Sequence, residues 1–249
     1  MGYWPIVKRV LKDSNVVLEI ADARMPEISQ NKELEYKAEL YGKELILVFT
    51  KIDLVSVMAL NTLRGQYPDA FFVSGVKNIG LKRLKIHLLI MAKRKGVESL
   101  RVGIVGYPNV GKSAVINALV HRARTKVSRM AGTTKGIQWI KAGGLSILDS
   151  PGVVPFEDDE VTLGIMGAKN PEKIKNVFKV AFALIKNFSD RNLEALEKFY
   201  GAELKDKDEY EILLEIGKKR GFLLKGGIVD EKRAAMQLLR DWQSGKLGI

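Results

Sequence analysis

Residues 106–113 read GYPNVGKS and match the pattern G-x-x-x-x-G-K-[ST]. The apolar run before them is typical of a buried strand, and residues 113–120 have the spacing of a helix. Between a strand and a helix, this pattern predicts a loop whose backbone N–H groups surround phosphate groups. Lys112 would reach the β- and γ-phosphates of a nucleotide, and Ser113 would ligate Mg²⁺. The other nucleotide-binding positions predicted in and beside this loop are Asn109, Val110, Gly111 and Ala114.

Two downstream motifs fit a γ-phosphate and metal site. Asp149 opens the sequence DSPG, 36 residues after Ser113, and follows a short apolar run. Its carboxylate could hold the Mg²⁺ shell, and the Gly152 N–H could contact the γ-phosphate. Between the motifs, a switch that senses this phosphate needs a hydroxyl on Mg²⁺. We assign that role to Thr134, with Thr133 as the second choice; an ordinary Thr-rich turn is the alternative.

A base-binding motif precedes the phosphate loop in the chain. Residues 50–53 (TKID) follow an apolar run and match the N/T-K-x-D guanine motif. Asp53 would accept hydrogen bonds from guanine N1–H and N2–H, which adenine does not offer. The aliphatic stem of Lys51 would lie on the base. Thr50 replaces the commoner Asn, and because it has one hydroxyl we expect a weaker tie to the phosphate loop.

A second base loop is predicted at residues 73–77 (VSGVK). It corresponds to the loop whose backbone N–H reads guanine O6. Gly75 stands where this loop usually has Ala. Because the base would be read by a backbone N–H, the loss of the Ala side chain is tolerated. The nucleotide-binding residues predicted here are Ser74, Gly75 and Val76.

The order of apolar runs predicts an α/β fold followed by helices. Strands are predicted at residues 15–21, 44–49, 70–73, 101–105, 138–141 and 145–148. Helical patterns lie between them, at 32–40, 54–63, 81–95 and 113–120. This alternation favours a parallel sheet with helices on both faces. Beyond an acidic run at 157–160, read as a linker, only helical patterns follow, at 171–187, 192–200, 209–220 and 231–244. We therefore predict domains at 1–155 and 156–249.

The charge distribution points to nucleic acid. The net charge is +12, and all of it lies in residues 1–155; residues 156–249 hold 17 basic and 17 acidic residues. A basic protein of this kind fits RNA, although the same charges could be solvated helix surfaces or helix ends. The candidate RNA contacts are Lys93, Arg94, Lys95, Arg122, Arg124, Lys218, Lys219 and Arg220.

Composition excludes several classes of site. Cysteine is absent, so disulfides and Cys-ligated metals are excluded. The sequence has only His87 and His121, which makes a His-rich metal site unexpected. No signal peptide and no apolar run of membrane-spanning length are seen, so we expect a cytoplasmic protein with no membrane partner.

The motif order identifies a family resemblance. Base motifs, phosphate loop, Thr-Thr switch and D-x-P-G occur in that order, and residues 22–26 (DARMP) precede them. This arrangement resembles the circularly permuted P-loop GTPases of ribosome assembly, most closely the ribosome-biogenesis GTPase A group. The match covers nearly the whole chain, including tail residues such as Gly226, Gly227 and Asp241. Departures are Thr50, Gly75 and Ala131, the last in place of the usual Pro before Gly-Thr-Thr.

The resemblance implies a GTP-hydrolysing assembly factor that cycles between GTP and GDP, uses Mg²⁺ and contacts the large ribosomal subunit and its rRNA. Asn109 matches a loop Asn that helps hold K⁺ in related GTPases. Val153 stands where many GTPases place a water-orienting Gln, so intrinsic hydrolysis should be slow, with K⁺ and the ribosomal particle as stimulants. The catalytic candidates are Lys112, Thr134, Gly152 and Asn109.

Three other readings stay open. An ATPase is disfavoured by Asp53. A GTP-dependent switch could act on another RNA, such as tRNA or the small subunit. A scaffold could bind GTP and barely hydrolyse it.

Overall fold

The computed structural model describes residues 3–121, 128–131, 138–149 and 159–249. The chain divides into two compact units, Met1–Glu157 and Asp158–Ile249. Of the predicted functional residues, five lie outside the described residues: Arg122, Arg124, Thr133, Thr134 and Gly152.

Seven strands and six helices form the described part of the first unit. The strands are β1 (Val16–Asp22), β2 (Glu44–Thr50), β3 (Phe71–Phe72), β4 (Leu100–Val105), β5 (Ser128–Ala131), β6 (Gln138–Ala142) and β7 (Leu145–Asp149). The helices are α1 (Tyr3–Asp13), α2 (Pro26–Ser29), α3 (Lys32–Leu40), α4 (Val57–Gln66), α5 (Leu81–Arg94) and α6 (Lys112–His121), with a 3₁₀ turn at Ile52–Leu54.

The strands form one sheet in the order β3-β2-β1-β4-β7-β6-β5. The first five of that order run parallel, which confirms the predicted α/β fold. The sheet is therefore mostly parallel, and only β6 pairs antiparallel among the described strands, with both β7 and β5. Only Gly143 and Gly144 separate β6 from β7, and both have positive φ, 53° and 82°. A two-residue connection allows a hairpin but no crossover, so these strands must run antiparallel.

The sheet explains how a permuted motif order can give one site. The carboxyl ends of the parallel strands lie at one edge, and β4 lies between β1 and β7. Asp22 is the register partner of Thr50, and Ile104 is the partner of Asp149. The base motif, the phosphate loop and the D-x-P-G motif therefore begin at the same edge of the sheet, whatever their order in the chain.

Helix α1 was not predicted from the sequence. Val7, Val10 and Leu11 are fully buried and have the spacing of one helix face. They pack in a core cluster with Val17 of β1 and Leu34 of α3, among others. This amphipathic spacing is the sequence signal from which α1 could have been predicted.

The second unit is helical. Its helices are α7 (Glu160–Ile165), α8 (Val177–Arg191), α9 (Leu193–Tyr200), α10 (Glu209–Lys219) and α11 (Glu231–Gln243), with a 3₁₀ turn at Pro171–Lys173. The acidic run read as a linker leads directly into α7, whose N-cap Asp159 accepts from the N–H groups of Val161 and Thr162 at 2.7 and 3.0 Å. The helix predicted at 171–187 begins later, at Val177, because the Asn176 side chain caps it there.

Packing in the second unit centres on Trp242 of α11. Its ring meets Phe188 edge to face with centroids 5.7 Å apart, and its Nε1 donates to the Ile165 carbonyl at 2.9 Å. The neighbouring Asp241 is buried and accepts from the Tyr200 hydroxyl at 3.1 Å. These contacts join α7, α8, α9 and α11 into one core.

Glu19 is a buried carboxyl in the middle of β1. Its Oε1 accepts from the Asn31 N–H at 2.6 Å, and its Oε2 has no partner among the described residues. Burial, with a smaller contribution from the nearby Glu35, raises the pKa of Glu19 to about 8. The folded protein therefore holds this carboxyl largely protonated at neutral pH.

Because the folded pKa of Glu19 is above the unfolded one, its contribution to stability is lost as pH rises from 4.5 to about 8. Glu19→Gln should therefore be more stable than the wild type at alkaline pH, by about 2–4 kcal/mol at pH 9, with little gain at pH 4.5. Urea unfolding across this pH range measures the difference, with the exposed Glu39→Gln as control. A stability difference that is the same at every pH would contradict the assignment.

Candidate nucleotide site

Backbone geometry shapes the loop between β4 and α6. Gly106, Asn109 and Gly111 all have positive φ, at 152°, 59° and 105°. A Cβ on Gly106 would lie 2.4 Å from the Ile20 carbonyl oxygen, so only glycine fits where the loop leaves the sheet. The loop leads into the N-terminus of α6, as a phosphate loop must.

Lys112 is buried at the start of α6. Its Nζ donates to the Gly106 carbonyl at 2.9 Å and to the Tyr107 carbonyl. The ammonium therefore lies inside the loop, beside the position where phosphate oxygens would bind. Ser113 and Asn109 are exposed, so their side chains are accessible to ions.

The predicted metal site is described in part. Asp149 ends β7, and its main chain lies opposite Ile104 of β4, one residue before the end of that strand. This places Asp149 at the same sheet edge as Ser113. The remaining predicted ligand, Thr134, lies outside the described residues.

Thr50 joins the base motif to the phosphate loop. Its buried hydroxyl lies 3.1 Å from the Ala21 carbonyl oxygen and also within hydrogen-bonding distance of the Val110 carbonyl oxygen. A Cβ on Gly111 would lie 3.2 Å from the same hydroxyl, so the loop packs directly on this side chain. The expected tie is present, made by one hydroxyl.

The second base loop is closed by two backbone hydrogen bonds. Ser74 N–H donates to the Ile79 carbonyl at 3.0 Å, and Ile79 N–H donates back at 3.1 Å. The buried Ser74 hydroxyl accepts from the Lys77 N–H at 3.0 Å. The exposed Val76 lies between these contacts, so its backbone is held in a fixed turn.

Gly75 has a steric reason that sequence reasoning missed. A Cβ at this position would lie 2.5 Å from the Ala114 Cβ on the first turn of α6. The base loop and the phosphate-loop helix therefore approach closely because one position is Gly and the other is Ala. This pairing of distant residues gives no signal in a single sequence.

A buried charge cluster lies beside the base motif. Asp22 accepts from Arg24 Nε at 3.1 Å, from Arg24 Nη2 at 2.8 Å and from Lys51 Nζ at 2.7 Å. Burial would raise the pKa of Asp22, but the charges of Arg24 and Lys51 outweigh it and hold the pKa at about 2. Burial lowers the pKa of Lys51, and the charge of Asp22 opposes that effect. Asp53, in the following 3₁₀ turn, is half-buried.

Comparison with known proteins found a matching family model and several GTP-binding relatives. A family model described as 50S ribosome-binding GTPase matches residues 101–218. An uncharacterized GTP-binding protein of Methanocaldococcus jannaschii is 36% identical over 244 residues, which cover 97% of this chain and 65% of the relative. The nuclear GTP-binding protein NUG1 of Saccharomyces cerevisiae is 32% identical over 286 residues, covering 99% and 55%.

Two solved structures also match over almost the full chain. YlqF from T. maritima bound to GNP has a TM-score of 0.61 and 26% identity, covering 97% of this chain and 93% of that one. Its GDP-bound structure has a TM-score of 0.62 and 26% identity, covering 97% and 95%. This chain has the fold of the circularly permuted P-loop GTPases. It spans less than two thirds of the length of the curated relatives described above.

The predicted RNA contacts differ in their surroundings. Lys93 and Arg94 are exposed at the end of α5, and Lys95 there pairs with Glu44 at 3.6 Å. Lys219 is exposed at the end of α10.

Arg220 and Lys218 have partners within the second unit. Arg220 stacks on the rings of Phe199 and Tyr200, at 5.3 and 4.9 Å from the centroids, and lies 4.0 Å from Asp241. Lys218 pairs with Glu215 at 2.8 Å. The ring contacts give Arg220 a structural role, whereas the exposed ion pair of Lys218 contributes little to stability. Within the described residues, no helix is long and apolar enough to cross a membrane.

The close approach of Gly75 and Ala114 gives a testable prediction. Gly75→Ala should push the base loop away from α6 and weaken GDP binding about tenfold, because relieving such a clash costs about 1–3 kcal/mol. Adding Ala114→Gly should restore most of the affinity, since the nearest remaining atoms, Ala114 Cα and C, would lie at 3.6 and 3.7 Å.

Fluorescence titration with a labelled GDP measures these affinities. Ala114→Gly alone reports the cost of a glycine in the helix, which is about 0.5–1 kcal/mol in stability. Equal affinities for Gly75→Ala and the double variant would show that the two positions are not coupled.

Proposed function

We propose that the protein binds GTP and GDP with Mg²⁺, hydrolyses GTP and acts as an assembly factor for the large ribosomal subunit through contacts with rRNA. The observation that carries the proposal is the junction of the base loops with the phosphate loop, through Thr50 on Val110 and Gly75 on Ala114. This junction supports the proposal because Asp53, which would read guanine, and Lys112, which would bind phosphate, follow strands that end at one edge of the sheet.

Hydrolysis would follow the P-loop pattern. Lys112 would shift from the loop carbonyls to the β- and γ-phosphates, while Ser113, Thr134 and Asp149 hold Mg²⁺. Water attacks the γ-phosphorus, and the bond between the γ-phosphorus and the β–γ bridging oxygen breaks. The products are GDP and inorganic phosphate. The Gly152 N–H would stabilise the charge on the γ-phosphoryl oxygens.

The intrinsic rate should be low. Val153 has no group that could orient the attacking water. K⁺ held with the help of Asn109 would supply a positive charge near the transferred phosphoryl group, and the ribosomal particle would complete the site.

Two observations support a ribosomal client. The matching family model is described as a 50S ribosome-binding GTPase, and the positive charge is concentrated in the nucleotide-binding part of the chain. Exposed Lys93 and Arg94 offer phosphate contacts of the kind that dominate RNA affinity. We assign residues 1–155 to the GTPase domain and 156–249 to a helical domain that adds RNA contacts.

A second candidate is a nucleotide-controlled scaffold that barely hydrolyses GTP. The observation that favours it is the apolar pair Val153 and Val154 after the D-x-P-G motif. A switch acting on tRNA or the small subunit would use the same site on a different RNA.

Guanine specificity should depend on Asp53. Asp53→Asn should weaken GDP binding by about a hundredfold or more, since an amide cannot accept from both N1–H and N2–H, and should improve binding of xanthosine diphosphate. Competition against labelled GDP measures both, with the exposed Asp69→Asn as control. Unchanged preference for GDP over ADP in Asp53→Asn would remove Asp53 from the base site.

Association with the ribosome can be tested by co-sedimentation. We expect the protein to sediment with the large subunit in a non-hydrolysable GTP analogue and to be released in GDP. Lys112→Ala, which weakens phosphate binding, should remain in the supernatant in both nucleotides. Analogue-dependent binding to the small subunit would favour the alternative RNA client, and no binding to either subunit would contradict the assembly role.

A further inference from the structure

Residues 22–24 (DAR) carry a motif to which the function above assigns no task. Asp22 ends β1 and is 3% exposed. Its carboxylate accepts from the Arg24 N–H at 3.0 Å as well as from the two guanidinium nitrogens of Arg24 and from Lys51 Nζ. Both oxygens are therefore used, and each faces a positive charge.

Arg24 fixes the direction of this carboxylate. Its side chain is 2% exposed, and its planar fork contacts Oδ1 and Oδ2 together. A two-pronged contact of this kind sets orientation as well as charge, which a lysine could not do. The Asp22 N–H also donates to the Ser29 hydroxyl at 3.0 Å, which holds the end of β1 against α2.

Lys51 lies outside residues 22–24, and its ammonium pairs with the Asp22 carboxylate. Its backbone has a positive φ of 56°, and its Nζ lies 2.7 Å from Asp22 Oδ2. A free lysine side chain samples many rotamers, so an ion pair in a largely buried place selects one of them. The neighbouring Ala23 N–H donates to the Thr50 carbonyl at 3.0 Å and joins the two segments a second time.

The order of strands in the sheet explains why the pairing of Asp22 with Lys51 matters for a nucleotide. Strand β1 lies between β2, which leads to the base motif, and β4, which leads to the phosphate loop. The stem of Lys51 therefore runs from the end of β2 to the end of β1, across about 4.8 Å, the usual spacing between strands. A nucleotide that occupies both the base site and the phosphate site must lie across the same ends of β2 and β1.

We propose that residues 22–24 orient Lys51, with Asp22 as a positioning residue for guanine nucleotide binding. This inference rests on the proposed guanine site. Arg24 holds Asp22, Asp22 anchors the ammonium of Lys51, and the anchored stem provides a flat apolar surface for the base. Asp22 thereby affects nucleotide affinity by acting through Lys51.

The test is a double-mutant cycle on labelled-GDP affinity. Asp22→Asn and Lys51→Met each remove the anchoring ion pair, and each should weaken binding about ten- to thirtyfold, the range for a charged hydrogen bond. The double variant should bind no worse than either single variant, because one interaction is lost in all three. The matched control is Glu19→Gln, which removes another buried carboxyl of β1 and should bind GDP within about twofold of the wild type, since Glu19 makes no contact with Lys51.

A merely structural role for Asp22 gives a different result. It would lower the melting temperature of Asp22→Asn while leaving GDP affinity as in the wild type, or Asp22→Asn would weaken binding by the same factor with and without the Lys51→Met substitution. Either result overturns the inference. A wild-type protein that fails to prefer GDP over ADP would instead overturn the guanine site itself.

Asp22→Asn leaves the buried Arg24 without its carboxylate and could unfold the protein. A second variant therefore tests the inference in a protein that keeps this charge. Asp22→Glu keeps the charge for Arg24 and moves the carboxylate by one methylene. We expect wild-type-like melting and at least threefold weaker GDP binding, since Lys51 Nζ is displaced. Unchanged affinity in a folded Asp22→Glu protein would also overturn the inference.

Discussion

The contact between Thr50 and the loop between β4 and α6 joins the two parts of the proposed nucleotide site. Thr50 is buried at the end of β2, where its hydroxyl reaches the Val110 carbonyl and its side chain supports Gly111. These residues lie 60 positions apart in the chain. The contact is possible because β2, β1 and β4 run parallel and release their loops at one edge. In the proposed site, this junction would set the distance between the part that binds the base and the part that binds the phosphates.

A second contact reinforces that junction from the other base loop. Gly75 and Ala114 meet at a distance that admits only one Cβ between them. Two of the three departures from the family pattern, Thr50 and Gly75, therefore lie where a base loop touches the phosphate-binding segment. A smaller side chain at each position lets the two loops pack closely.

Strand β1 carries two buried carboxyls with opposite behaviour. Asp22 meets two cations and has its pKa lowered to about 2, whereas Glu19 meets one backbone N–H and has its pKa raised to about 8. Burial penalises the charged form of both, and only Asp22 has enough positive charge nearby to overcome that penalty. The charged residue lies at the functional edge, and the neutral one lies in the core.

The sequence by itself predicted the α/β fold, the family resemblance and the motifs. The spacing of residues 106–113, 149–152 and 50–53 between apolar runs predicted the phosphate loop, the metal site and the base site, because such short motifs need only local backbone geometry. It also predicted the parallel strands and most of the helices. It missed α1, whose amphipathic spacing is present in the sequence, and α7, whose first residue was read as part of a linker. It predicted β6 as a strand and left its direction open.

Only the tertiary structure decided how the motifs are held. The partners of Thr50, Gly75 and Lys51 lie 60, 39 and 29 positions away in the sequence. Hydrophobic periodicity reports which face of a segment is buried, but it carries no information about which distant side chain meets that face. The order of strands at the sheet edge supplied that information, and the proposed role of Asp22 and Arg24 rests on it.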